Sequence, residues 1–210
     1  MTRSTVPVPT PVDSWARRAA LPALILVGIL VTVVVPQFFP ADGGPTGFDR
    51  SLGEHIHTSV GAHTWVYRVL VFPSNGYVVV PMLLAGVAWF AVRRQWWRAA
   101  FMFLAPELAI IMNSLVLKPF WDRQLQHYLA YPSGHTVHLV AVVTAFALVS
   151  ESVRVRVSAA VVMAVVLPAV LVGMVGLGYH HPTDVIGGTG AAVALVAAAY
   201  LPFRYLTRTR

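Results

Sequence analysis

Cysteine is absent from the 210 residues of the chain, which excludes disulfide frameworks, thiolate nucleophiles and thiolate metal sites together. Charge is nearly as scarce: 11% of the residues are charged, where a soluble domain carries about a quarter. Lysine and arginine together number 15, and Lys118 is the one lysine among them. Aspartate and glutamate number 8. By contrast, 57% of the chain is apolar, with a mean hydropathy of +0.70. This balance excludes a soluble globular domain, a disordered chain and a nucleic-acid-binding module. The formal charge of +7 therefore carries its meaning in where it sits rather than in its sum. The chain reads as an integral membrane protein.

Crossing a hydrocarbon core of about 30 Å takes roughly 20 apolar residues in a helix. Runs near that length fall at residues 21–39, 69–92, 99–117, 135–150, 157–179 and 185–203. The second is disturbed at its start by Pro73, Asn75 and Gly76, and the fourth is the shortest. Backbone polar groups find no water in lipid, so helices are the expected spanning element. The expected fold is all-α, a polytopic bundle of six transmembrane helices. It forms a single membrane domain over 1–210, with a cytoplasmic segment 1–20, a core 21–203 and a cytoplasmic tail 204–210.

Arg3, Arg17, Arg18, Arg93, Arg94, Arg98, Arg154, Arg156, Arg204, Arg208 and Arg210 fall on one side of this topology. Arg50, Arg68, Lys118 and Arg123 fall on the other. The positive-inside rule puts the first group, and both termini, in the cytoplasm. The first span reads as a permanent helix, because its apolar run exceeds a signal core and no small-x-small site follows Phe39. Residues 48–65, with mixed polar and apolar positions, suit a short helix lying along the external interface.

The eight histidines, His55, His57, His63, His127, His135, His138, His180 and His181, all fall at or just inside the external side. Lys118 is there too, as a point charge suited to an anionic group. Three segments meet at this level: Lys118-Pro-Phe-Trp-Asp-Arg123, Pro132-Ser-Gly-His135 and His180-His-Pro-Thr-Asp184. In the second, the amides of Ser133 and Gly134 and the Ser133 hydroxyl suit an anion nest opening a helix, with His135 beside the anion as proton donor. In the third, Asp184 is spaced to hold one nitrogen of His180 and leave the other as nucleophile or base. Lys118 and Arg123 supply positive charge. The set suits phosphoryl transfer by a histidine nucleophile at the extracytoplasmic face.

These segments resemble the type 2 phosphatidic acid phosphatase family of membrane lipid phosphatases, whose motifs run K-x6-R-P, P-S-G-H and S-R-x5-H-x3-D. Pro132 to His135 match the second motif in full. The resemblance implies that His180 forms a phosphohistidine and that Asp184 orients it. It implies that His135 protonates the leaving group, and that Lys118, Ser133 and Gly134 hold the phosphoryl oxygens, with no metal and no cofactor. The implied partners are a lipid phosphate or diphosphate substrate and membrane lipids, in a bacterial plasma membrane. Polyprenyl diphosphate, phosphatidic acid and phosphatidylglycerol phosphate all fit.

The chain departs from the family pattern in two places. Leu125 and Gln126 stand where the first motif has Arg-Pro, and Gly173 and Met174 where the third has Ser-Arg. Arg123, where many members carry an additional arginine, is expected to take over phosphate binding, with His127, His181 and Arg68 as other candidates. The alternative is a weak or inactive relative that binds lipid phosphate. His138 is weighed as a helix-packing residue against one touching the site. Glu107, alone at midplane, reads as a carboxyl hydrogen-bonded inside the bundle. His55, His57 and His63 read as solvated, and Asp122 as solvated or paired with Arg123. Histidines crowded on one side argue against a di-haem cytochrome, and one midplane carboxylate against a transporter. Gly187, Gly188 and Gly190 are expected to let helices approach closely.

Overall fold

The computed structural model describes residues 11–208; Arg3 and Arg210 of the basic set lie outside them. Helix α1 (Pro11–Val34) runs into a 3-10 turn at Val35–Phe38. Two short helices follow, α2 (Gly47–Val60) and α3 (Thr64–Val71), then α4 (Gly76–Val92) and α5 (Trp96–Met112). A π turn at Asn113–Leu117 leads to the one-turn α6 (Lys118–Trp121) and to the two-residue strands β1 (Gln124–Leu125) and β2 (Tyr128–Leu129). The chain ends in α7 (Gly134–Val149), α8 (Val153–Gly176) and α9 (Pro182–Arg208).

Among the described residues, five stretches are long and apolar enough to cross a membrane: Ala19–Phe38, Thr64–Val92, Trp96–Trp121, Val153–Gly176 and Pro182–Leu206. The sixth expected span, α7, has 16 residues. It is the central helix, with Val137, Ala141, Val142 and Ala145 buried against α5 and α9. A helix apolar on every face is stable only when surrounded, and being surrounded by protein frees α7 from matching the full bilayer thickness. The chain is thus an all-α, polytopic membrane bundle.

Each departure from the expected spans has a local cause. Helix α3 and helix α4 are separate because Pro73 sits in a 3-10 turn, Phe72–Ser74, and Asn75 is extended. The interfacial segment expected at 48–65 is α2 and the start of α3. Helix α2 opens on a capping box: Thr46 Oγ1 accepts from the Asp49 amide at 3.0 Å, and Asp49 Oδ2 accepts from the Thr46 amide at 2.9 Å. Two donors of the first turn are thereby satisfied reciprocally.

Glycine sets how closely the helices cross. A Cβ on Gly28 of α1 would stand 2.6 Å from the Gly190 carbonyl of α9. One on Gly173 of α8 would stand 2.5 Å from the Val71 amide and 2.7 Å from the Tyr67 carbonyl of α3. Both crossings therefore bring backbones into direct contact, the packing that small residues permit in membranes.

Candidate active site

The site begins with the turn into α9. Asp184 lies in the first turn of that helix, and its Oδ2 accepts from the His181 amide at 2.8 Å. This local bond fixes the carboxylate one turn from His180, whose Nδ1 lies 3.6 Å from the same Oδ2. Both residues are buried, Asp184 at 0% and His180 at 5% exposure. Nδ1 is buried at ion-pair distance from the carboxylate without a hydrogen bond, and the ring borders the neighbouring cavity. The arrangement suits a histidine oriented by one nitrogen and reactive at the other.

That cavity, of about 360 Å³, is bordered by Lys118, Tyr128, Gly134, His135, His138 and His180. Lys118 reaches it because the π turn at Asn113–Leu117 inserts extra backbone before it; such turns re-aim the side chains that follow. Its Nζ donates to the Leu129 carbonyl at 2.5 Å, which leaves further donors of the ammonium for a ligand. His135 is exposed at the mouth, its ring centroid 6.3 Å from that of His180. Both rings border the same cavity, so one bound group can touch them together.

Ser133 and Gly134 divide the expected anion nest between them. Gly134 borders the cavity at the start of α7, where unpaired helix amides point outward. The Ser133 amide, however, donates to the Asp184 carbonyl at 3.0 Å. The Ser133 hydroxyl is fully buried and donates to Met174 Sδ at 3.7 Å, while accepting from Thr136 Oγ1 at 3.1 Å. The serine thus ties α7 to the His180 loop and faces away from the cavity.

Arg123 requires the largest correction. It was expected to bind phosphate, and it is instead sealed behind Asp184 with its side chain at 0% exposure. A guanidinium has five N–H donors, and all five are engaged. Nε donates to the Gly43 carbonyl at 3.1 Å. One terminal nitrogen donates to Asp184 Oδ1 at 2.8 Å and Thr183 Oγ1 at 2.7 Å. The other donates to the Gly44 carbonyl at 2.9 Å and Asp49 Oδ2 at 3.1 Å. Phe39 covers its face at 3.8 Å. No donor remains for a ligand, so Arg123 positions Asp184.

Asp49, absent from the sequence-derived site, is the far anchor of this network. Besides capping α2, it accepts from the Thr183 amide and hydroxyl, each at 2.9 Å. Burial works to raise its carboxyl, but the bonds from Thr46, Thr183 and Arg123 prevail and hold it below its ordinary value of 3.8. The T-x-x-D capping pattern at 46–49 is a sequence signal for the cap. Nothing local announces the long-range pair with Arg123. Tyr128, also unforeseen, borders the cavity with its ring 6.0 Å from His180 and donates its hydroxyl to the Tyr179 carbonyl. Its phenol is pushed up by burial and by the charge of Asp184.

The sequence model of the PAP2 superfamily matches residues 110–208, a stretch holding every expected site residue. The C-terminal part of the chain, residues 110–208, thus carries the PAP2 superfamily pattern. No curated protein matches it. Among solved structures, it is similar to one described as the crystal structure of the first transmembrane PAP2 type phosphatidylglycerolphosphate phosphatase from Bacillus subtilis. The TM-score is 0.61 at 18% identity, covering 86% of this chain and 94% of that one. At that identity the likeness speaks for the fold.

Within the PAP2 pattern, the two missing arginines acquire a physical setting. Met174 is fully buried and packs its sulfur over Ser133 and Thr136, so the arginine position of the third motif is filled by an apolar wedge. Gly173 lies flush against the α3 backbone. The other candidate substitutes do not meet the cavity. His127 is exposed in the hairpin turn, and Arg68 borders a different cavity with Tyr179. His181 is not among the residues bordering the cavity, and burial pushes it below its ordinary value, opposed by the charge of Asp184. His55, His57 and His63 are exposed, as expected. Among the described residues, no group of three or more histidine and acidic side chains converges in a metal-binding arrangement.

Proposed function

We propose that this protein is a membrane lipid phosphatase, hydrolysing a phosphomonoester or diphosphate of a lipid through a phosphohistidine on His180. The observation that carries the proposal is the buried Asp184–His180 pair opposite His135 across one cavity, with Lys118 beside it. His180 attacks phosphorus through Nε2 as the bond to the leaving oxygen breaks, and His135 gives that oxygen its proton. Asp184, fixed in place by Arg123, stabilises the charge that develops on His180. Lys118 and the amides opening α7 take the charge that spreads over the phosphoryl oxygens. Water then attacks the phosphohistidine, His135 receives its proton, and phosphate and free His180 result.

The positive-inside distribution supports a cavity on the extracytoplasmic side. There a lipid headgroup of the outer leaflet reaches His180 by lateral diffusion while its chains stay among the helices. The substrate class is a lipid phosphate. The solved Bacillus protein is described as a phosphatidylglycerolphosphate phosphatase, and the candidate substrates here are that lipid, phosphatidic acid and polyprenyl diphosphate.

Phosphate release from a panel of such lipids, by the purified chain in excess chelator, tests this reading. Release that disappears in His180→Ala, together with an acid-labile, base-stable phosphoprotein seen in the wild type alone, is expected. A folded wild type that releases no phosphate from any lipid overturns it. The buried Met174 and the saturated Arg123 then favour a protein that binds lipid phosphate without turnover.

A further inference from the structure

The proposed chemistry leaves the cavity short of positive charge. A phosphoryl group at neutral pH arrives with nearly two negative charges, and the transition state spreads charge over three oxygens. Lys118 is the one lysine or arginine among the residues that border the cavity. Leu125 and Met174 hold the family's two arginine positions, and Arg123 has no donor to give.

One further ionisable pair meets the cavity wall. His138 borders the cavity from α7, one turn beyond His135. Its Nε2 lies at ion-pair distance, 3.3 Å, from Glu107 Oε1 on α5 and is buried without a hydrogen bond. Glu107 thus has a neighbour of opposite potential charge, which the sequence reading did not supply. A carboxylate within an apolar span is costly unless paired and is by default functional.

We propose that His138, backed by Glu107, is the second cation of this site: it takes up a proton as the phosphoryl group binds and donates to that group from Nδ1. The inference rests on the phosphatase reading for its ligand. Its logic is that of imidazole tautomers. When Nε2 keeps its proton for Glu107, a neutral ring presents Nδ1 as an acceptor, which repels a phosphoryl oxygen. Adding a proton turns the same nitrogen into a charged donor. The groups facing His138 pull in both directions: Glu107 favours the extra proton, while Lys118 and any charge on His135 or His180 oppose it. The arriving anion tips this balance, so ligand binding and proton uptake are linked. Glu107 is a positioning residue that acts through His138. Three residues deeper along α7 than His135, His138 sits about 4.5 Å further into the bundle, matched to the phosphoryl oxygens turned away from the mouth.

The test uses the full chain in detergent and four proteins: wild type, His138→Gln, His138→Arg and Glu107→Gln. Tungstate, a phosphate analogue, is titrated calorimetrically in two buffers of different ionisation enthalpy. Proton uptake on binding is expected in the wild type and is lost in His138→Gln, with affinity falling roughly tenfold or more. Phosphate release from the best lipid substrate should fall by about 10- to 100-fold in His138→Gln. His138→Arg should restore part of the rate and flatten the alkaline limb of its pH profile, because its charge does not titrate. Glu107→Gln should move that limb to lower pH. A pair that merely joins α5 to α7 predicts the reverse: Gln, which keeps a hydrogen bond, preserves binding and pH profile, and Arg does not rescue. Equal proton uptake in wild type and His138→Gln, or no tungstate binding by folded wild type, overturns the proposal. Tungstate binding with linked uptake but no lipid turnover upholds the second cation and sinks the phosphatase reading.

Discussion

At the scale of single residues, Arg123 and Asp184 divide between them the work of holding the turn that carries His180. Their pairing is buried at both ends, and breaking a buried pair leaves an uncompensated charge. Arg123→Met should therefore lower stability by about 3–5 kcal/mol, read as a fall in unfolding temperature in detergent. Arg123→Lys should recover little of it, since an ammonium has fewer donors and lacks the planar fork. Asp184→Asn keeps the shape but removes the charge that His180 needs; a loss of about 10² or more in kcat with a smaller change in KM is expected. Asp49 gives a pH signature. Its carboxyl lies below 3.8 in the folded chain, so its stabilising contribution is complete above the unfolded value and disappears as pH falls through the lowered one. Asp49→Asn should be less stable than wild type at neutral pH, and the gap should narrow below about pH 4.

At the scale of elements, the loop before α7 and the start of α9 behave as one unit. A Cβ on Gly187 would stand 2.1 Å from the Tyr131 ring, and one on Gly188 would stand 2.9 Å from the Ser133 carbonyl. The Tyr131 hydroxyl in turn donates to the Thr32 carbonyl of α1 at 2.7 Å. Gly187→Ala should displace the segment carrying Ser133 to His135, costing about 1–3 kcal/mol and most of the activity. The same reasoning applies to Gly173: Gly173→Ser, which restores the family residue, should destabilise the chain because α3 occupies the space. The sequence made the elements readable where a pattern is local: six apolar runs, the capping signal at Thr46 and the tetrapeptide at Pro132. It concealed whatever depends on contacts across the fold. Arg123 reads as a free cation until Gly43, Asp49 and Thr183 are brought around it, and Glu107 reads as solitary until α5 packs against α7. The π turn before Lys118 left no mark in the apolar pattern, because it changes the aim of side chains and not their polarity.

For the whole molecule, acid and base roles on facing histidines imply a bell-shaped dependence of kcat/KM on pH, with limbs that belong to the coupled set rather than to single residues. A profile flat between about pH 5 and 8 would count against these roles. The bundle also fixes where the reaction happens relative to the bilayer. At 16 residues, α7 rises about 24 Å, some 6 Å less than a hydrocarbon core of about 30 Å. With its far end, beside the Arg98–Glu151 pair, level with the cytoplasmic boundary that the positive-inside rule assigns, the shortfall would fall at the end that carries His135. The cavity floor would then be a well beneath the lipid surface, into which a lipid phosphate would have to be lowered past the ester layer. Bilayer thickness then becomes a control on turnover: in vesicles of lengthening acyl chains the well deepens, and headgroups with the shortest reach lose contact with His180 first.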